Sequence, residues 1–330
     1  MEFVRLSGTD MQASRVGLGT WAIGGWLWGG TDERLSIRTI HTALERGINV
    51  VDTAPVYGFG LSEEIVGKAV VEYGARDEVI LATKAGLEWQ DGKILRNCTR
   101  ARIVQEIDYS LRRLRTDYID IYQVHWPDPA TSFQETAEAM RQLHEQGKIR
   151  VIGVSNYSPE QMDLFRQAAP LHTAQPPFNL FEREIEKDVL PYCRKHGITT
   201  LTYGALCRGL LSGRMTSKTV FTGDDLRKID PKFTAPRYGQ YLKAVELLDR
   251  FAREKYDKRV IHLALRWALD QPGVSIPLWG ARRPEQLEPV AGVFGWSLDA
   301  EALATIDGIV ADTVTDPVGP EFMAPPVRTG

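Results

Sequence analysis

Four side chains in this 330-residue sequence have the types needed to pass a proton to a polar oxygen: Asp52, Tyr57, Lys84 and His125. A free tyrosine titrates near ~10 and is a weak acid at neutral pH. An ammonium beside it favours the phenolate, so Lys84 is expected to lower the Tyr57 pKa. A lysine withdrawn from water needs a counter-charge, and Asp52 can supply one. The His125 imidazole can donate a hydrogen bond to a carbonyl oxygen and hold it against the phenol. Singly, each residue has a plainer reading: the aspartate caps a helix, the histidine is a satisfied structural residue, and the lysine is a surface charge. Chemistry requires all four to share one neighbourhood, which the surrounding elements must provide.

Short β-branched runs alternate with amphipathic helical stretches through most of the chain. Strands are predicted near 15–19, 49–52, 79–84, 118–125, 151–155, 172–175, 199–203 and 274–277. Helices are predicted near 34–46, 62–72, 99–114, 133–146, 159–168, 182–196, 240–269 (in two pieces) and 284–293. Gly47 and Gly147 can take the left-handed conformation that stops a helix. Thr99 caps a helix whose Ile103, Ile107, Leu111 and Leu114 recur at helical spacing, and Ser158-Pro159 opens another. Near-continuous apolar strands such as Ile48–Val51 and Val79–Thr83 belong to a parallel sheet covered by helices. Eight such units predict a closed (β/α)₈ barrel, one domain over residues 1–330, with its strand C-termini at the mouth. Asp52, Lys84 and His125 then end the second, third and fourth strands, and Tyr57 follows the second. Residues 1–14 are expected as a plug or hairpin. Residues 212–237, long and polar, are either a lid or disordered, and 316–330 are expected as a mobile tail.

A hydrophobic content of 43% with 25% charged residues is that of a globular chain. The net charge of -3 gives no reason to expect nucleic acid or an anionic membrane as partner. No secretory segment is visible, and Cys98, Cys193 and Cys207 form no C-x-x-C pair, so a reducing cytoplasm is expected. The six histidines show neither i, i+4 pairing nor H-E-x-x-H, and no metal site is expected. Gly17-Leu18-Gly19-Thr20-Trp21-Ala22 matches the dinucleotide pattern G-x-G-x-x-A. That motif needs a helix starting at its last position, whereas Ile23-Gly24-Gly25 and the residues after them delay any helix until about Glu33.

The segments GINVVDTAPVYGFGLSEEIVGKAV, LATKAGL, DYIDIYQVHWPD and IGVSNYS resemble the defining stretches of the aldo-keto reductases, in order and at barrel spacing. The resemblance runs from about Val16 to Val290. It implies a (β/α)₈ barrel, NADP(H) bound extended without a doubly wound sheet, and a catalytic tetrad of Asp52, Tyr57, Lys84 and His125. WAIGGWLWGG and APVYGFG are most similar to a bacterial branch with glycerol dehydrogenases, glyceraldehyde reductases, and inositol-operon and general-stress reductases.

Ser155, Asn156 and Gln175 carry groups suited to a carboxamide, and the resemblance assigns them to the nicotinamide amide, with the ring stacked on Tyr203. Gly19, Thr20 and Trp21 at the end of the first strand join this cofactor set. The run from Tyr203 through Gly204, Leu206, Cys207, Arg208, Gly209 and Leu211 to Gly213 is similar to a pyrophosphate loop, with Ala205 where relatives often have proline. Its glycines allow backbone approach and Arg208 offers charge. Gly280, Arg282 and Gln286, beside Arg283 and Pro284, read as a 2′-phosphate and adenine corner favouring NADP(H) over NAD(H). Val290 stands where many relatives carry asparagine. Trp21, Trp28, Trp89 and Trp126, with Trp26 nearby, are expected to wall a mostly apolar pocket around Tyr57 and His125 for a small carbonyl or alcohol. Two functions fit: reversible NADPH-dependent carbonyl reduction, or a nicotinamide-sensing regulatory subunit of the channel β-subunit type. The complete tetrad favours turnover.

Overall fold

The computed structural model describes residues 1–90 and 92–328. Parallel strands Gly17–Gly19, Val50–Asp52, Ile80–Ala85, Ile119–Val124, Ile149–Ser155, Thr173–Gln175, Thr199–Thr202 and Ile276–Gly280 close in that order, the last pairing with the first. This is the (β/α)₈ barrel that the alternation predicts. Register sets the mouth: Gly19 lies opposite Asp52, Lys84 opposite Gln123, and Ser155 opposite Gln175.

Inside, Val50, Ile80, Ala82, Ile121, Val151, Leu201, Ile276 and Leu278 fill the barrel, with Leu6 and Ala13 below them. The last two come from a hairpin, Phe3–Arg5 with Gln12–Ser14, that plugs the N-terminal end. Outside, most helices bury one face, while Val260–Asp270 is buried nearly all round. Arg100–Leu114 is capped by Thr99 and buries Ile103, Ile107 and Leu114. Pro159–Arg166 opens with Ser158 and Gln161 capping each other's backbone amides.

Four segments differ from expectation. The helix expected over 182–196 runs only over Val189–His196, because Glu182 turns inward to accept from the Asn179 amide at 2.7 Å. A helix at Ala300–Thr313 and a hairpin pairing Leu87–Gln90 with Lys93–Arg96 were not anticipated. Within residues 212–237, 3-10 turns form at Leu226–Lys228 and Pro231–Phe233, and Leu226, Arg227 and Ile229 line the cleft in the place a lid would take. Residues 316–328 are likewise docked rather than loose. Arg96 donates to the carbonyls of Pro325 (2.8 Å) and Pro326 (3.2 Å), and Arg328 pairs with Asp128 at 3.0 Å. Among the described residues, no helix is long and apolar enough to cross a membrane.

Candidate active site

Asp52, Lys84 and His125 converge at the C-terminal mouth because they lie at the ends of consecutive strands whose residues are all buried. Tyr57 joins them from the turn that follows Asp52. That turn packs against the loop after the first strand, and a Cβ on Gly24 would lie 2.6 Å from the Tyr57 carbonyl oxygen. Gly58, at φ +66°, meets the Gly24 carbonyl even more closely. Glycine is therefore required at both positions for Tyr57 to sit where it does.

The Lys84 ammonium uses all three of its protons. It donates to Asp52 Oδ1 at 2.6 Å, to the Thr53 carbonyl at 2.9 Å and to the Tyr57 hydroxyl at 3.3 Å. The Lys84 side chain is 1% exposed and that of Asp52 4%. The second Asp52 oxygen accepts from the Gln175 amide at 2.8 Å and the Gln123 amide at 3.4 Å. The His125 ring stands edge-on to Tyr57 with centroids 5.8 Å apart, and Trp21 stacks on the phenol at 5.9 Å.

Burial raises the Tyr57 pKa well above its ordinary value, and the Asp52 charge adds to the rise. This reverses the expected lowering: burial disfavours the phenolate, and the Asp52 charge, close to the ammonium, adds to that rather than leaving the ammonium unopposed. Burial also lowers the Lys84 pKa, against the opposing pull of Asp52. Burial and then the Lys84 charge hold His125 far below the usual histidine value, so its imidazole is neutral at physiological pH. The site thus presents a protonated phenol and a neutral imidazole side by side.

From this floor a cavity of about 360 Å³ extends across the mouth to Arg282 and Gln286. Gly19, Thr20, Trp21, Ser155, Asn156, Gln175 and Tyr203 line its inner part, and Gly204, Leu206, Arg208, Gly209 and Gly280 its outer part. The Tyr203 hydroxyl donates to Asn156 Oδ1 at 2.9 Å, and the Asn156 amide donates to the His125 carbonyl at 3.0 Å. The carboxamide-type groups are thus tied to the tetrad. Arg282 is held by its backbone N–H to Gln286 Oε1 at 2.7 Å and by its guanidinium to the Trp28 carbonyl. Its pKa is lowered by burial and then by the charges of Arg227 and Arg283.

Several expected contacts lie elsewhere. Cys207 and Leu211 are buried beneath the loop, and Gly213 turns away against Val260. Burial pushes the Cys207 thiol up to about 12. The Arg208 guanidinium, expected to offer free charge, is paired with Glu182 and Asp230, while Lys232 also reaches Glu182 at 2.7 Å. Val290 is buried in the core. Trp28 and Trp126 line the cavity, but Trp89 packs behind it against Phe59, and Leu87 and Ile94 of the same hairpin take its place. The lid adds Leu226, Arg227 and Ile229, and the C-terminal segment adds Phe322, Met323 and Pro325. Sequence reasoning missed these because no local pattern marks a loop that closes over a distant mouth.

The donor set fits a nicotinamide dinucleotide. A long cleft joins carboxamide partners at the tetrad to three crowded guanidiniums, with Asp225 the carboxylate paired to Arg227. The chain belongs to the aldo/keto reductase family, whose sequence profile matches residues 15–311. It is 61% identical to the aldo-keto reductase YhdN of Bacillus subtilis (strain 168) over 328 residues, 99% of each chain. Among solved structures it resembles the glycerol dehydrogenase AKR11B4 from Gluconobacter oxydans, with a TM-score of 0.88 and 52% identity over 98% of this chain and 99% of that one. It is also 35% identical to the NADH-specific methylglyoxal reductase of Escherichia coli (strain K12), over 92% of this chain and 96% of that one.

Proposed function

We propose that this oxidoreductase reversibly reduces small aldehydes and ketones to alcohols with NADPH, and that Tyr57 is the proton donor. The observation that carries the reading is the Tyr57 hydroxyl, 3.3 Å from an ammonium whose charge Asp52 balances, at the floor of a mostly apolar cleft. When bound, the nicotinamide cofactor supplies the hydride for the carbonyl carbon. Asn156, Ser155 and Gln175 would hold its carboxamide, Tyr203 its ring face, and Arg282 with Gln286 its 2′-phosphate end.

As negative charge develops on the substrate oxygen, Tyr57 gives up its proton to that oxygen. The phenolate left behind is stabilised by the Lys84 ammonium, which keeps its own proton because Asp52 offsets the cost of burial. Neutral His125 donates a hydrogen bond that orients the carbonyl without competing as an acid. Trp21, Trp28 and Trp126 exclude water around this exchange.

Preference for NADP(H) over NAD(H) rests on Arg282 and its neighbouring guanidiniums. A small polyol or its aldehyde is the substrate class suggested by similarity to a glycerol dehydrogenase. Buried, free thiols agree with a cytoplasmic setting. Incubation with NADPH and glyceraldehyde or a nitrobenzaldehyde, followed by NADPH absorbance, tests the activity. No consumption across a broad carbonyl panel would leave a nicotinamide-sensing role instead.

A further inference from the structure

The turn at residues 25–30 carries Trp26, Leu27 and Trp28 into the cleft wall, yet its own chain does little to fix it. Internally it is closed by the amides of Trp28 and Gly30, both donating to the Gly25 carbonyl at 3.0 Å. Leu27 sits in the left-handed region at φ +63°, followed by Gly29 at +74° and Gly30 at +89°. A branched residue held there needs support from outside the turn. The Trp28 indole N–H is buried and, among the described residues, has no hydrogen-bond partner, so the backbone decides where that ring lies.

Outside support comes from Arg282, whose guanidinium donates to the Trp28 carbonyl, and, for Leu27 and Gly29, from the lid. The Asp224 carboxylate accepts from the Leu27 N–H at 2.8 Å with one oxygen and from the Gly29 N–H at 2.9 Å with the other. Leu226 N–H then donates to the Leu27 carbonyl at 2.9 Å. The Arg227 guanidinium lies 5.4 Å from the Trp28 ring. Asp225 engages Arg227, which leaves Asp224 for the turn. Beyond the turn, Trp28 meets Trp21 edge-on at 5.6 Å, and Trp21 stacks on Tyr57.

We propose that Asp224 is a positioning residue through which the lid sets the tryptophan wall, so that the carbonyl pocket is complete only while the lid is docked. The proposal rests on the carbonyl-reductase reading for its kinetic consequence, though not for the contact itself. Asp224 never meets the substrate; it acts through the Leu27–Gly29 backbone and Trp28. A carboxylate bridging two amides is suited to this, because charge-assisted bonds hold both ends of a strained turn at once.

Because Asp224 is solvent-exposed, Asp224→Ala and Asp224→Asn should leave folding intact. With NADPH saturating, the alanine variant is expected to raise KM for a nitrobenzaldehyde roughly tenfold while kcat stays within about twofold. The asparagine variant, which keeps one acceptor oxygen, should fall between. In the ligand-free chain, hydrogen exchange over residues 25–30 should quicken while the 87–96 hairpin is unchanged. Unchanged KM and unchanged exchange would overturn the proposal. So would weaker NADPH binding with carbonyl KM intact, which would make Asp224 a cofactor clasp alone. If the unsubstituted protein reduces no carbonyl, the functional reading fails, and the exchange measurement alone then decides the coupling.

Discussion

Replacing Asp52 with asparagine would strand the Lys84 ammonium inside the barrel mouth, 1% exposed and without its counter-charge. The Thr53 carbonyl and the Tyr57 hydroxyl would remain as its partners, neither of them charged. Removing one member of a buried ion pair costs about 3–5 kcal/mol when the other is left charged. Lys84 has an escape, since it can lose its proton. Burial already lowers its pKa and Asp52 is the main opposing influence, so in the variant that pKa drops further. Between the folded and unfolded pKa values the unfolded chain then binds one more proton than the folded chain. Stability must therefore rise with pH across that window, by about 1.4 kcal/mol per unit. Urea unfolding followed by tryptophan fluorescence at pH 7 and pH 9 measures both effects. The expected result is a large loss at pH 7 that shrinks at pH 9 relative to the unsubstituted chain. A loss under about 1 kcal/mol, or one indifferent to pH, would refute the idea that this pair is a buried, mutually dependent unit.

Arg282→Ala should weaken NADPH binding roughly ten- to hundredfold, the worth of a charge-assisted phosphate contact, with NADH binding unaffected; fluorescence titration with both cofactors checks this. The pH profile of kcat/KM for reduction should show no inflection near ~6.5, because His125 is neutral throughout, and no loss through pH 9, because the Tyr57 phenol holds its proton. An inflection near 6.5 that disappears in His125→Gln would contradict the neutral imidazole.

The barrel and the meeting of Asp52, Lys84 and His125 were legible because each closes a short β-branched-rich run, and strand direction alone carries such residues to one mouth. The caps at Thr99 and Ser158 were legible because capping is local. What escaped depends on partners far along the chain. Arg208 reads as a cofactor charge until folding brings Glu182 and Asp230 against it. The C-terminal segment reads as a loose tail until Arg96 and Asp128, some two hundred residues away, take hold of it. The direction of the Tyr57 shift has the same origin: residue types suggest an ammonium, but only the fold shows how completely the phenol is buried and that Asp52 faces it as well. The hairpin over 87–96 is different. Leu87, Trp89 and Ile94 alternate with polar residues around an Asp91-Gly92 pair, a strong turn signal that was present in the sequence.

The account turns on Tyr57 as the proton donor, and Tyr57→Phe removes the hydroxyl while keeping the ring against Trp21 and His125. NADPH consumption with glyceraldehyde and NADPH affinity by fluorescence, measured on the same preparation, give the decisive comparison. Reduction should fall by roughly a hundredfold or more, with cofactor affinity within about twofold. Retained reduction, or loss of both together, would contradict it.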